Sequence, residues 1–347
     1  RAAIGSASSS ASISASATAD ASAGEYAEAN ASADGSVQTV TANSVNAAAA
    51  GTIDSGILSS YASANASGGS GLFEGGTANA SAQGISQSVS ADSGGSAQAS
   101  GNITSTTSLD VTAVAQAQGE IAEANAAAGG IQQGVTSDEG SASGSIANEG
   151  SLNVTASANA DASGGNISNA NADAFAQGID QSVSASTLAT GLITNTSSSS
   201  IDVTANAIAA GGSSGTANAD ADASAVRQNV QTSNGDSTGT ISSSGSISAS
   251  ATASADAGND ADAFADSDGI TQTVGTDGTN ANALGTIESG VLSSYAFANA
   301  QAGGGVSDAG NASANADGIF QRVDANAGAS GATGNITSTT SLDVTAV

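Results

Sequence analysis

The chain has 347 residues, with three Lys or Arg against 31 Asp or Glu, a formal net charge of −28, and no His, Cys, Pro, Met or Trp. That inventory excludes thiolate and imidazole chemistry and the usual zinc sites. It also excludes nucleic acid and anionic membrane surfaces as partners, since both require cationic neutralisation, and no apolar run reaches the roughly 18 residues that span a bilayer.

Ile, Leu, Val and Phe contribute only 52 residues, and most of the 39% hydrophobic content is Ala. With this charge, composition alone reads as a disordered chain. Periodicity reverses that reading. In chain order, a Gln followed two residues later by Val falls at Gln38, Gln87, Gln133, Gln181, Gln228, Gln272 and Gln321, at spacings of 49, 46, 48, 47, 44 and 49. A Gly-x-Ile landmark keeps pace at Ile53, Ile103, Ile146, Ile193, Ile241, Ile287 and Ile336. The expected organisation is one continuous array over 1–347, in units of about 47 residues ending near 40, 89, 135, 183, 230, 274 and 323. Five units form a super-repeat of about 234 residues. "GTIDSGILSSYASANA" at 51–66 returns as "GTIESGVLSSYAFANA" at 285–300, and 101–114 is identical to 334–347.

Each unit reads as three strands. A short one runs through Gly-x-Ile. A second, as in "SLDVTAVAQAQ", sets Leu109, Val111, Ala113, Ala115 and Ala117 on one face. Alternation with period two means half-buried strands. The third runs through Ala-x-Ala into Gly-Ile-x-Gln-x-Val. In "ANASAQGISQSV", Ala78, Ala80, Ala82 and Gly84 share one parity, while Ile85, Gln87 and Val89 share the other. The inward face therefore slips by one residue in every unit, at Gly35, Gly84, Gly130, Gly178, Gly269 and Gly318, with Ala225 in the equivalent slot. Such a slip marks a corner or a β-bulge, where Gly tolerates backbone angles that other residues do not.

These strands predict an all-β fold, a parallel β-solenoid (β-helix) of about seven repeats with a narrow, Ala-lined interior. The alternative is an antiparallel β-sandwich array. With like residues stacked on like, the seven glutamines form one inward row whose amides pair along the axis, a structural ladder. The aromatics fall out of phase with the inward Ala set. Tyr26, Tyr61, Phe175, Phe264, Tyr295, Phe297 and Phe320 are thus candidate lateral contacts, with Phe73 in a Gly-rich loop.

No residue stands out as catalytic, and the chain reads as a non-enzyme. Asp is frequent, as in "NADADAS" at 218–224. Solvated surface charge is the favoured reading, with calcium the one cofactor that rows of carboxylates would attract. No EF-hand loop or Gly-Gly-x-Gly-x-Asp repeat occurs. Thr is too irregular for an ice-binding face. Sequons occur at Asn102, Asn153 and Asn195, as chance allows in a chain this rich in Asn, Ser and Thr.

The succession "NEGSLNVTASANADASGG" and "SSGSISASATASADAG", joined to segments of the form ADGIxQxV, resembles the β-strand repeats of giant bacterial surface proteins, the adhesins and repetitive autotransporter passengers. The resemblance implies a secreted or surface-anchored fibre. The expected function is a structural extracellular filament for adhesion, biofilm or sheath, with a glycan- or calcium-binding adhesin module as the alternative. The expected partners are the chain itself, by head-to-tail continuation and lateral bundling, and extracellular polysaccharide. A start at Arg1 and a stop inside "SLDVTAV" read as a window cut from a longer chain.

Overall fold

The computed structural model describes residues 2–9, 12–23, 26–43, 47–68, 75–92, 97–164, 168–279, 281–303, 309–325 and 331–347. Phe73 lies outside them. All regular structure described is β, and every strand pair is parallel. The antiparallel sandwich is thereby excluded, and the chain is a parallel β-solenoid.

The first coil holds a short strand β1 (Ala2–Ser9), a medium strand β2 (Ile13–Ser22) and a long strand β3 (Tyr26–Ala42). Four more coils repeat it: β4 (Ala48–Ser55), β5 (Leu58–Ser67) and β6 (Gly75–Ala91); β7 (Gln98–Ser105), β8 (Ser108–Gln118) and β9 (Ile121–Ser137); β10 (Ser141–Asn148), β11 (Ser151–Asp161) and β12 (Asn169–Ala185); β13 (Leu188–Asn195), β14 (Ser200–Ala210) and β15 (Thr216–Thr232). In the sixth and seventh coils the short and medium strands run together as β16 (Asp236–Ala257) and β18 (Asn282–Ala302), followed by the long strands β17 (Asp260–Thr276) and β19 (Ala309–Ala325). The last described element, β20 (Gly331–Ala346), stacks on β18.

Two sheets result. The long strands form one, in the order β19-β17-β15-β12-β9-β6-β3, and the short and medium strands together form the other. The two layers face each other across a thin interior. Register is like on like: Gly101 sits on Gly51 and under Gly144, Ile103 between Ile53 and Ile146, and Val111 under Val154. This pairing is what the 47-residue period requires, since each coil is the template for the next.

The interior is mostly Ala. Ala78, Ala80 and Ala82 of β6 face Ala62, Ala64 and Ala66 of β5 and their counterparts in neighbouring coils, all buried. Methyl groups bury little area per residue, so an isolated coil does not offset an ordering cost of about 1–2 kcal/mol per residue. Continuous ladders and larger side chains at fixed points complete the balance. Ile85, Ile131, Ile179 and Ile270 with Leu58, Leu109 and Leu152 form one apolar cluster along the axis. Val89, Val135, Val183, Val230 and Val274 form a second with the Ala residues of the short strands.

The super-repeat is visible in side-chain contacts as well as in sequence. Ser60 replaces Val at its position and donates to the Ala33 carbonyl at 2.7 Å. Ser294, 234 residues later, makes the same bond to the Ser267 carbonyl at 2.7 Å.

Candidate functional site

The interior feature that sets this solenoid apart is a polar row between the two apolar clusters. Gln87 Nε2 donates to Gln38 Oε1 at 2.9 Å, Gln133 to Gln87 at 2.9 Å, and Gln181 to Gln133 at 2.8 Å. Gln228, Gln272 and Gln321 continue the row at 2.8 Å each. Every amide points the same way along the axis. One N–H of each glutamine donates across to the short strand, to the carbonyl between Gly and Ile: Thr52, Asn102, Ser145, Leu192, Thr240, Thr286 and Asn335, at 3.1–3.4 Å. From Gln87 to Gln321 both amide protons of each glutamine are used, which is what burial of an amide demands. Gln87, Gln133, Gln181, Gln228 and Gln272 are buried, while Gln38 and Gln321 are partly exposed.

The Gly of Gly-x-Ile is explained by this row. A Cβ on Gly144 would meet Gln133 Oε1 at 2.7 Å, Val183 Cγ2 at 2.8 Å and Gln181 Nε2 at 3.2 Å. Gly101, Gly191, Gly239 and Gly285 are hemmed in alike. Reading the strand pattern alone left that Gly as a mere landmark. Its equal period with Gln was the signal that the two face each other.

The parity slip lies inside the long strands rather than at a corner between strands. In β6 both Gly84 and Ile85 are buried, and the ladder passes from Asp34↔Gln83 to Ser36↔Ile85. Gly35, Gly130, Gly178, Gly269 and Gly318 occupy the same point of their strands, so the irregularities stack. The expected reason for Gly there does not hold. None of these residues has a positive φ; among the described residues only Gly119 does, at 152°. Gly is required for space. A Cβ on Gly84 would lie 2.6 Å from the Gly130 carbonyl oxygen and 2.8 Å from Val111 Cγ2.

A second buried polar column, not anticipated, closes the short strands. Asn148 Nδ2 donates to Asn195 Oδ1 at 2.9 Å and to the Ser200 carbonyl at 3.1 Å. Asn195 Nδ2 passes the chain to Ser243 Oγ at 3.1 Å. Ser and Asn are too common here for their place in the coil to stand out. The sequon residue Asn195 is thereby buried, whereas Asn153 is exposed and donates to Asp110.

The described aromatics all lie on outer faces, but they do not converge. Tyr61, Tyr295 and Phe297 stand on the medium-strand ladder, where the residues stacked on Tyr61 are Ser16 and Thr112. Tyr26, Phe175, Phe264 and Phe320 stand on the opposite, long-strand sheet, with Tyr26 donating to Thr77 at 2.9 Å.

That long-strand face also carries a cluster of carboxylates. Asp220, Asp222, Asp266, Asp268 and Asp317 occupy adjacent columns of β15, β17 and β19. Among the described residues no three such groups gather closely enough to hold a metal ion. Arg227 lies 3.9 Å from Asp180 and is largely exposed, a pair of little energetic weight. Asp268 has its pKa pushed up to about 6, first by burial, then by Asp266, Asp317 and Asp222, with Arg227 opposing. A carboxyl with a raised native pKa binds more protons folded than unfolded between its ordinary value of 3.8 and about 6. Stability must therefore fall as pH rises through that window. After correction for the intrinsic pH dependence of amide exchange, the protection factors of β17 and β19 are expected to be higher at pH 5 than at pH 7, and Asp268→Asn should flatten the difference by raising protection of these strands at pH 7. An unchanged pH profile in the variant would place the proton elsewhere.

Among the described residues no helix is long and apolar enough to cross a membrane. No protein-family model, no curated protein and no solved structure matches the chain.

Proposed function

We propose that this chain is a structural, non-enzymatic segment of an extracellular fibre, a rod whose length is set by the number of coils, serving adhesion, a biofilm or a sheath. The observation that carries the reading is the like-on-like stacking of the coils, which resumes after the register shifts in β16 and β18, with the glutamine row running through seven of them. Such a stack has no natural stopping point and gains stability from each added neighbour. The absence of His, Cys and Lys from the sequence and the uniformity of the repeat support a mechanical role. The resemblance to adhesin and passenger repeats supports a place at the cell surface. Its partners on this reading are further coils of the same kind, joined through the parallel ladders, and neighbouring rods. Since the chain carries −28, side-by-side packing should strengthen as salt screens that charge.

The test is immunogold electron microscopy of the source cells with antibodies against the folded segment. Label along surface fibres is the expected result. Label confined to the cell interior would overturn the proposal.

A further inference from the structure

The outer face of the long-strand sheet is not flat. A channel of about 540 Å³ runs along the rod axis across β3, β6, β9, β12 and β15. One side is the column Asn30, Asn79, Asn125, Asp173 and Asp220. The next column holds Ser32, Ser81, Ala127, Phe175 and Asp222. Five rungs at ladder spacing give it a length of about 19 Å.

The chemistry of the lining selects an occupant. Asn79 Nδ2 donates to Asn30 Oδ1 and Asn125 Nδ2 to Asn79 Oδ1, both at 2.8 Å. An amide has two N–H groups and two acceptor lone pairs on its oxygen. Asn79 therefore keeps one donor and one acceptor for a ligand, already oriented by its neighbours. This paired supply matches a hydroxyl group, which both gives and accepts a hydrogen bond. Phe175 stands half-exposed in the lining and offers a flat apolar face beside them. Asp173, Asp220 and Asp222 accept hydrogen bonds, and with a net charge of −28 they repel anions.

We propose that this channel binds a neutral, equatorially linked polysaccharide laid along the rod axis, with one sugar ring stacked on Phe175 and hydroxyls on the Asn30, Asn79 and Asn125 amides. In an extended chain of this linkage each sugar advances by about one rung of a parallel ladder and is turned half a revolution from the last, so alternate sugars meet alternate coils in similar geometry. An axially linked glucan coils away from a straight row of amides. This inference goes beyond the fibre reading and does not depend on it. A mechanical rod without a glycan site fails here and passes the antibody test, and the reverse holds for a glycan-binding protein inside the cell.

The purified protein is titrated with cellohexaose, maltohexaose and hexagalacturonate, followed by calorimetry. Cellohexaose should bind saturably, and the axially linked and the anionic oligosaccharides at least about tenfold more weakly. Phe175→Ala should weaken cellohexaose by about tenfold, the loss of one aromatic stacking contact, and Asn79→Ala should weaken it as well. Phe320→Ala, on the same sheet but outside the channel, should bind as the parent does. Circular dichroism checks that each variant keeps its β structure, since all three positions face outward. No saturable binding of cellohexaose, tighter binding of the anionic probe, or parent-like affinity in both Phe175→Ala and Asn79→Ala would each overturn the proposal.

Discussion

Gln181→Leu is expected to destabilise the middle of the rod by at least about 3 kcal/mol. Leucine fits the volume but breaks three bonds at once. Gln133 Oε1 loses its donor at 2.8 Å, Gln228 Nε2 its acceptor at 2.8 Å, and the Leu192 carbonyl its donor at 3.2 Å. The two amide groups are buried and the carbonyl bond partly so, and an unpaired buried donor or acceptor costs about 1–3 kcal/mol. Gln38→Leu, at a partly exposed position where water replaces the lost partner, should cost under about 1.5 kcal/mol. A stack of coils does not unfold in one step, so the measurement is hydrogen exchange resolved by strand. Protection should collapse in β12, β13 and β15 for the first variant and remain there for the second. Equal effects would mean that amide pairing is not what holds the row together.

The second large effect is expected at Gly178. A Cβ there would sit 2.4 Å from the Ala225 carbonyl oxygen, 2.8 Å from Val203 Cγ2 and 3.2 Å from Ile201 Cγ2. The backbone oxygen does not yield as a flexible side chain would. Gly178→Val should therefore cost about 3 kcal/mol through overpacking, while Ser182→Val, which faces solvent four residues on, should be near neutral. The chain itself contains the compensated case. Ala225 fills the same slot in the fifth coil, and the residue stacked on Val203 in the next coil is Ala249, which removes the branched methyls that crowd Gly178. Gly178→Ala combined with Val203→Ala should thus lose less than the sum of the two single changes, as a double-mutant cycle with strand-resolved exchange would read. Strict additivity would show that the slip glycine is not limited by the facing valine.

The solenoid's basic plan was legible because it is periodic. Alternation at Leu109, Val111 and Ala113 declared strands, and the constant interval between Gln-x-Val landmarks declared a stack. The parity change between Gly84 and Ile85 showed that the third strand turns a different face inward over its second half, and both residues are buried. The row of glutamines followed from repetition alone, since an identical residue at an identical place in every coil must meet its own copy when coils pair in parallel. Other features had a weaker trace. The channel-lining Asn30, Asn79 and Asn125 recur with the same period, but so many Asn do that the column is lost in the composition. Asn148 and Asn195 end strands β10 and β13 with their side chains turned inward, and nothing in so Asn-rich a sequence marks them out.

The sequence by itself therefore determined the all-β class, the strand triplet, the direction in which each residue points and the identity of the stacked rows. These depend only on the two-residue repeat of a strand and the 47-residue repeat of a coil. Only the tertiary structure decided why the glycines are there, which outer columns become a channel, and how the carboxylates are placed around Asp268. Each of those depends on what lies across the thin interior or in the adjoining coil. The clash at Gly178 is with Ala225, Val203 and Ile201, and the pKa of Asp268 is set by burial and by three carboxylates on β15, β17 and β19. Distances of that kind belong to the closed stack, because a strand's own pattern states which way a side chain points but not how much room it finds on arrival.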